Sequence, residues 1–351
     1  MQFFDSLRQD YVSFNDWFLR KSNEDAYVIY DDDNLEGFMY LKEETGYNSE
    51  EITLVNEQLP KKNRLKIGTL KTTNQIQGRR FGEGLIGLAL WKWADTKVEE
   101  IYITTFPKQK ELISMLLAYG FVNVGEIKDG KGELVFIKNK KQLVYSNPKM
   151  SFPYISETAN GKIFIVEEQF HDTLFPYSEL KNTEFTIQDY DVKNGMSKFF
   201  ISNSFKLRDD CKVNDFGIIY RKSLGANPSY KSCATGICTV EQVIPIKTYI
   251  PSEKRVIEHY SFDEFVSLLG NKTVLTQEQL KKMHNKDTVV AIQIMYNYSF
   301  GAGNNVNYRT LVDNNLWEKE GYPYNKNYTK NDLRKLISLR NDKNVRNVIV
   351  D

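Results

Sequence analysis

The chain has 351 residues, of which 41% are hydrophobic, 13% aromatic and 26% charged, with a formal net charge of +1. That length points to two domains, and the near-neutral balance removes the global basicity that advertises a nucleic-acid partner. No run approaches the roughly 18 uninterrupted apolar residues of a membrane-spanning helix, so no membrane association is expected.

The N-terminus, MQFFDSLRQDYVSF, carries an acid early and no basic stretch ahead of an apolar one, so no signal peptide is expected. From Asp5 to Arg20 the apolar residues Leu7, Tyr11, Phe14, Phe18 and Leu19 fall at helical spacing. Ala26–Tyr30 and Glu36–Lys42 read as two short strands joined by the acidic turn 31–34. A polar stretch, Glu43–Asn63, precedes the most informative block.

That block runs from Arg64 to Phe121. An extended segment, RLKIGTLKT, leads into the turn QGRRFGEG, a helix-like LIGLALWKWADT, a strand-like EEIYITTF and a second helix ending LLAYGF. Backbone N–H groups at a helix N-terminus bind phosphate without side-chain charge. Gly78, Gly82 and Gly84 permit a tight turn and close backbone approach, while Arg79 and Arg80 add cations for phosphate oxygens. The turn is neither a G-x-G-x-x-G dinucleotide fingerprint nor a P-loop, because no GKS or GKT follows it. Read alone, it is equally well a loop ahead of a core helix. A hairpin over Val122–Glu126 and Gly132–Lys138 closes this part of the chain.

The order strand, glycine- and arginine-containing turn, helix, strand, helix ending in Gly-Phe resembles the GNAT superfamily of N-acetyltransferases, over roughly residues 5–138. Two registers fit the family's turn: Arg79-x-x-Gly82-x-Gly84, and the preferred Gln77-x-x-Arg80-x-Gly82. The resemblance implies acetyl-CoA as cofactor. It places Gln77, Gly78, Arg79, Arg80, Phe81, Gly82, Glu83 and Gly84 around the pyrophosphate, and Leu70 and Thr72 along the pantetheine arm. The family's usual acid, a tyrosine four residues before the final Gly-Phe, is Leu116 here, a departure that puts the proton donor in doubt. Tyr119, three residues on, is the substitute, set against the plainer reading that it packs a helix face. Glu133 and Thr105 are conceivable bases.

Residues 142–160, with Pro148 and Pro153, read as a linker between a domain over 1–141 and another over 161–351. Beyond it short β-rich runs appear at Lys162–Glu167, Lys198–Ser202, Phe216–Arg221, Gly236–Ile244 and Thr288–Tyr298. Helical periodicity is confined to Ser261–Leu269, Thr276–His284 and Thr329–Arg340. Ser261 with Glu264 makes a capping-box start, and Thr276 is another N-cap. Cys211, Cys233 and Cys238 are few and odd in number, which fits a reducing, cytoplasmic setting. The C-x4-C pair has no further ligand at zinc spacing, so no metal is expected.

The step Asn214-Asp215-Phe216-Gly217-Ile218-Ile219-Tyr220 resembles the PUA-like group that includes ASCH and EVE domains, with Asn214 standing where glycine is usual. The expected fold class is therefore α+β: a mixed central sheet flanked by helices, then a small PUA-like β-barrel with peripheral helices. The second resemblance implies RNA or DNA binding, with Arg208, Arg221 and Lys222 on phosphate and Asn203 or Tyr298 reading or stacking on a base. Ordinary strand-end charges and packing aromatics are the plainer account of the same residues. The combined expectation is an acetyl-CoA-dependent N-acyltransferase acting on an amine of a nucleic acid or nucleoprotein. Two alternatives stay open: a protein or small-molecule acetyltransferase with a scaffolding second domain, and a non-catalytic CoA sensor.

Overall fold

A computed structural model describes residues 2–31, 33–73, 78–156, 159–176, 194–225, 227–318 and 322–340. The chain divides into two compact units, Met1–Gln142 and Leu143–Asp351.

The first unit opens with α1 (Asp5–Asp10) and α2 (Phe14–Arg20) where one helix was expected. The break falls at Tyr11, which turns to extended backbone at φ −124° and ψ 101°. Its ring packs 5.5 Å from that of Phe106 and its hydroxyl donates to Glu133. These tertiary contacts override the helical periodicity. Then come β1 (Tyr27–Asp31), β2 (Asn34–Glu44), β3 (Ile52–Thr53), β4 (Gln58–Leu59) and β5 (Arg64–Thr72). The remainder is α3 (Phe81–Asp95), β6 (Glu100–Thr105), α4 (Lys110–Ala118), β7 (Val122–Glu126) and β8 (Leu134–Asn139).

Six strands form one sheet in the order β1-β2-β5-β6-β8-β7, and β5–β6 is its parallel pair. Parallel neighbours need a crossover, which α3 supplies. Nine residues of α3 are buried, including Leu85, Ile86, Leu90 and Trp93. The polar stretch before β5 is not featureless: β3 and β4 pair, and Ile52 and Leu54 bury against Tyr102 and Val135.

The second unit comprises α5 (Pro148–Ser151), β9 (Gly161–Glu167), α6 (Glu168–Leu174), β10 (Ser197–Ser202), α7 (Phe205–Asp210), β11 (Phe216–Lys222) and α8 (Pro228–Lys231). It continues with β12 (Cys233–Ile250), β13 (Arg255–Glu258), α9 (Phe262–Leu269), α10 (Gln277–His284), β14 (Val289–Ser299), β15 (Val306–Asn307), α11 (Tyr308–Asp313) and α12 (Lys330–Ser338). The sheet runs β10-β14-β12-β11-β9, with β13 and β15 also paired to the long β12. Among the described residues β10 and β9 are its two ends and no ladder joins them, so the expected barrel is an open sheet.

One apolar cluster packs Ile218, Tyr220 and Ile237 against Leu311, Leu333 and Leu336 from α11 and α12. Another packs Phe199, Ile246 and Val289 against Phe265 and Leu280 from α9 and α10. Both expected caps are present, as capping boxes at Ser261/Glu264 and Thr276/Gln279. Asn214 takes φ 74°, the left-handed region that asparagine tolerates, so it performs the turn for which the resemblance expects glycine. Part of the stretch 142–160, expected as a linker, is packed. Phe152, Tyr154 and Ile155 are buried, and Ile155 belongs to the second unit's core.

Candidate functional site

The site of the first unit begins with a failure of strand pairing. β5 and β6 pair from Arg64↔Glu100 to Ile67↔Ile103 and no further, although β5 runs on to Thr72 and β6 to Thr105. Past Ile67, β5 is held by β2 alone, from Thr69↔Tyr40 to Thr72↔Gly37. A register shift opposite Tyr40 and Leu41 leaves Gly68 without a partner in β2, the signature of a bulge that bends the strand. A Cβ on Gly68 would sit 2.8 Å from the Tyr40 ring, so the bulge requires glycine. The outcome is a V-shaped split whose β5 wall, Gly68 to Thr72, presents one edge that no strand among the described residues satisfies. Leu70 and Thr72 are half-buried on that wall.

The turn into α3 follows. Gln77 lies outside the described residues. Gly78 has φ 83° with open space around its Cα, and Arg80, the N-cap, has φ 64°. Among the described residues no side chain caps α3 at its N-cap Arg80, and its first intrahelical bond is Gly84 N to Arg80 O at 3.1 Å. The amides of Phe81 and Gly82 therefore precede the helical ladder, at the positive end of a 15-residue helix. Gly82 lets α4 approach, since a Cβ there would meet Met115 Cε at 3.2 Å, and Gly84 is buried beside it in the first turn.

The two arginines divide the work. Arg79 is part-exposed, with Nη1 3.5 Å from Asp31 and its guanidinium 5.5 Å from the Phe81 ring centre. Arg80 turns inward, and its Nε and Nη2 donate to Glu83 Oε2 at 3.0 and 2.7 Å. The other oxygen of Glu83 accepts from the Tyr119 hydroxyl at 3.0 Å. Tyr119 has 0% exposure, and its carbonyl accepts from Lys138 Nζ at 2.7 Å. Burial drives the Lys138 amine well below its usual range. Tyr119, expected as the proton donor, is buried here. Its hydroxyl is committed to Glu83, which makes it a brace of the turn.

At the far end of the split lies α1. Lys71 Nζ, on β5, donates to Ser6 Oγ at 2.5 Å, and Lys108, beyond β6, pairs with Asp10. The helix therefore straddles the diverging strand ends. Next to it Glu133 adjoins Leu134, the partner of Thr105 at the end of β6, and accepts from Tyr11. Burial, then the Glu133 carboxylate, pushes the Tyr11 phenol far above its ordinary range, so it remains a donor. Sequence reading missed Tyr11 because its spacing fits a helix, and no local signal marks a tyrosine that reaches 122 residues along the chain.

The five residues expected to bind nucleic acid are not brought together. Arg221 is only 6% exposed; its Nε and Nη2 donate to Asp172 at 2.8 and 2.9 Å, and Nη1 lies 3.2 Å from Glu168. Burial alone would raise the Asp172 carboxyl, but hydrogen bonds from His171 and Arg221 hold it down at about 2. Arg221 is therefore an internal ion-pair partner, since a cation out of water needs a matched carboxylate. Arg208 is engaged by Asp209 at 2.7 Å, whereas Asn203 and Lys222 are exposed. Asn203 follows Ser202, paired with Val290, while Tyr298 stands eight residues further along β14 and half-buried beside the α11–α12 core. At roughly 3.4 Å per residue that is about 27 Å. One ligand base does not span it.

Among the described residues no group of three His, Cys, Asp or Glu side chains is placed to hold a metal, and no helix is long and apolar enough to cross a membrane.

No family model and no curated protein matches the chain. Solved structures similar to it include an ASCH protein from Zymomonas mobilis, 11% identical over 52% of this chain and 97% of that one, with a TM-score of 0.33. A NatC complex bound to Gag peptide and CoA is 17% identical over 37% of this chain and 79% of that one, TM-score 0.28. A GNAT-family acetyltransferase from Streptococcus agalactiae is 20% identical over 38% of this chain and 75% of that one, TM-score 0.26.

Proposed function

We propose that the first unit is an N-acyltransferase that takes its acyl group from acetyl-CoA. The observation that carries the reading is the β5–β6 split at Ile67 followed by the uncapped N-terminus of α3. The residues present fit the cofactor. The unsatisfied edge of β5 from Gly68 to Thr72, with Leu70 and Thr72, offers backbone groups to an extended amide-bearing arm. Phe81 and Gly82 offer amides to a pyrophosphate next to Gly78, and Arg79, which lies 3.5 Å from Asp31, brings a cation to the turn. Arg80, Glu83 and Tyr119 hold the turn in shape from behind. When bound, acetyl-CoA supplies the activated acyl thioester.

An amine attacks only when neutral, so the chain has to take up a proton at the acceptor side. Glu133 is the carboxylate at the mouth of the split, oriented by the protonated Tyr11 hydroxyl. α1 covers the diverging strand ends and limits water there.

The finer part of the proposal concerns the acceptor, an amine of a nucleic acid or nucleoprotein presented by a PUA-like second unit. Its support is now Asn203 and Lys222, both exposed, and no longer Arg221. Three buried free thiols, with Cys211 and Cys233 pushed up to about 12 by burial, fit the reducing, cytoplasmic compartment that belongs to the same proposal.

Calorimetric titration with acetyl-CoA tests the cofactor. Micromolar binding is expected for the wild type, weakened about tenfold in Arg79→Ala, roughly the worth of one charge-assisted contact. A folded wild type that does not bind acetyl-CoA would end the acyltransferase reading. A Lys222→Gln variant with unchanged salt-dependent RNA retention would remove the second unit from acceptor binding.

A further inference from the structure

A cleft of about 440 Å³ opens between α2 and the face of the sheet formed by β2 and β5. Trp17 and Tyr40 give it aromatic walls, and Arg20, Lys21, Lys42 and Lys66 bring four cations to its lining. Gly68 also lines it, and Gly68 is the first residue of β5 past its last pairing with β6. The cleft and the split therefore share a residue.

One carboxylate, Glu50, stands among these cations. It pairs with Lys42 and lies 3.9 Å from Lys66, with its side chain 49% exposed. Lys42 also lies 3.3 Å from the buried Glu44, and Lys21 pairs with Glu24, which takes the Tyr40 hydroxyl. Among the described residues Arg20 has no ion pair within 4 Å. Counting only the lining, four positive charges face one negative. Glu50 marks where an anion sits between two lysines, and its side chain is half-exposed. Tyr40 is 3% exposed, so Trp17, half-buried and edge-on to it at 5.7 Å, supplies the ring surface open to a ligand.

We propose that this cleft holds the acceptor by a phosphate between Lys42 and Lys66 and a planar ring against Trp17, so that the acceptor is an amine of nucleotide chemistry. The inference rests on the acyl-transfer reading for the word acceptor, but the anion site stands on its own residues. It moves recognition of the anion from the second unit, where Arg221 is locked away, to the first. Lysine ammonium groups act here as point charges for phosphate, and base–aromatic stacking is tolerant of base identity.

The test uses adenosine 5′-monophosphate as probe on the full chain, with CoA at saturation so that the probe is excluded from the cofactor's adenosine site. Trp17 fluorescence reports binding, and Trp17→Phe supplies the blank. The monophosphate should bind at least about tenfold tighter than adenosine. Lys42→Gln and Lys66→Gln should each lose about tenfold, and Glu50→Gln should gain severalfold by removing the internal competitor. Equal affinity for adenosine and its monophosphate, no binding at millimolar probe, or Glu50→Gln leaving affinity unchanged would each overturn the proposal. CoA binding is measured first and separately. Probe binding without CoA binding would keep the anion site and remove the acyl-transfer reading. CoA binding without probe binding would do the reverse.

Discussion

Replacing Tyr119 with phenylalanine separates a brace from a proton donor. The substitution deletes one hydroxyl at a site with 0% exposure and leaves the ring in place. What is lost is a 3.0 Å hydrogen bond to one oxygen of Glu83, whose other oxygen stays with Arg80. A buried hydrogen bond to a charged group contributes about 1.5–3 kcal/mol. For a unit spanning Met1–Gln142, that corresponds to a fall of about 6–12 °C in Tm. Because Glu83 then holds Arg80 less firmly in its left-handed N-cap conformation, the Gly78–Gly82 amides lose their preset geometry. Acetyl-CoA affinity should fall with stability. Differential scanning calorimetry of the full chain and titration with acetyl-CoA read the two effects side by side. A donor acting only on the departing sulfur predicts the opposite pattern: unchanged Tm, unchanged affinity and a defect confined to turnover. Finding Tm and acetyl-CoA affinity both at wild-type values would refute the bracing role.

Other outcomes follow from the second unit. Arg221→Ala leaves Asp172 and Glu168 without their shared cation and should destabilise the unit by about 3–5 kcal/mol in urea titration; a loss under 1 kcal/mol would mean the pair is solvated. The Asp172 carboxyl, depressed to about 2 from an ordinary value near 4, contributes on the order of 2 kcal/mol. A folded-state value below the unfolded one gives stability that is complete above about pH 4 and lost as pH falls toward 2. Asp172→Asn should therefore flatten acid unfolding across that window, as followed by circular dichroism. Cys211, Cys233 and Cys238 are buried thiols, so a thiol-reactive dye should label none in the native chain and three after denaturation. Rapid native labelling would contradict their burial.

Much of the site's framework was legible because it is local. Alternating RLKIGTLKT, a glycine-rich turn and a 15-residue apolar helix follow one another without interruption, and each signal spans only a few residues. Ser261 and Thr276 announced their helices for the same reason, since a cap bonds to an amide three residues on. The division of labour between Arg79 and Arg80 was not legible. Adjacent residues of one type carry no mark of which faces solvent, and Arg80 turns inward to Glu83, which also accepts from Tyr119. Arg221 read as a phosphate ligand because a strand-end arginine is usually solvated, and its carboxylate partner lies 49 residues earlier. The break of the first helix at Tyr11 and the pairing of β3 with β4 were hidden likewise, for both depend on packing against distant strands.

By itself the amino-acid sequence determined which segments are strands, turns and helices in the Arg64–Phe121 block. Those properties are set by backbone preference and hydrophobic period within a few residues. Tertiary structure alone decided where β5 parts from β6, that the Tyr119 hydroxyl reaches Glu83, and that Lys42, Lys66 and Trp17 line one cavity. Each of these is a relation between elements far apart in the chain, fixed by pairing register and by which buried polar groups had to find partners.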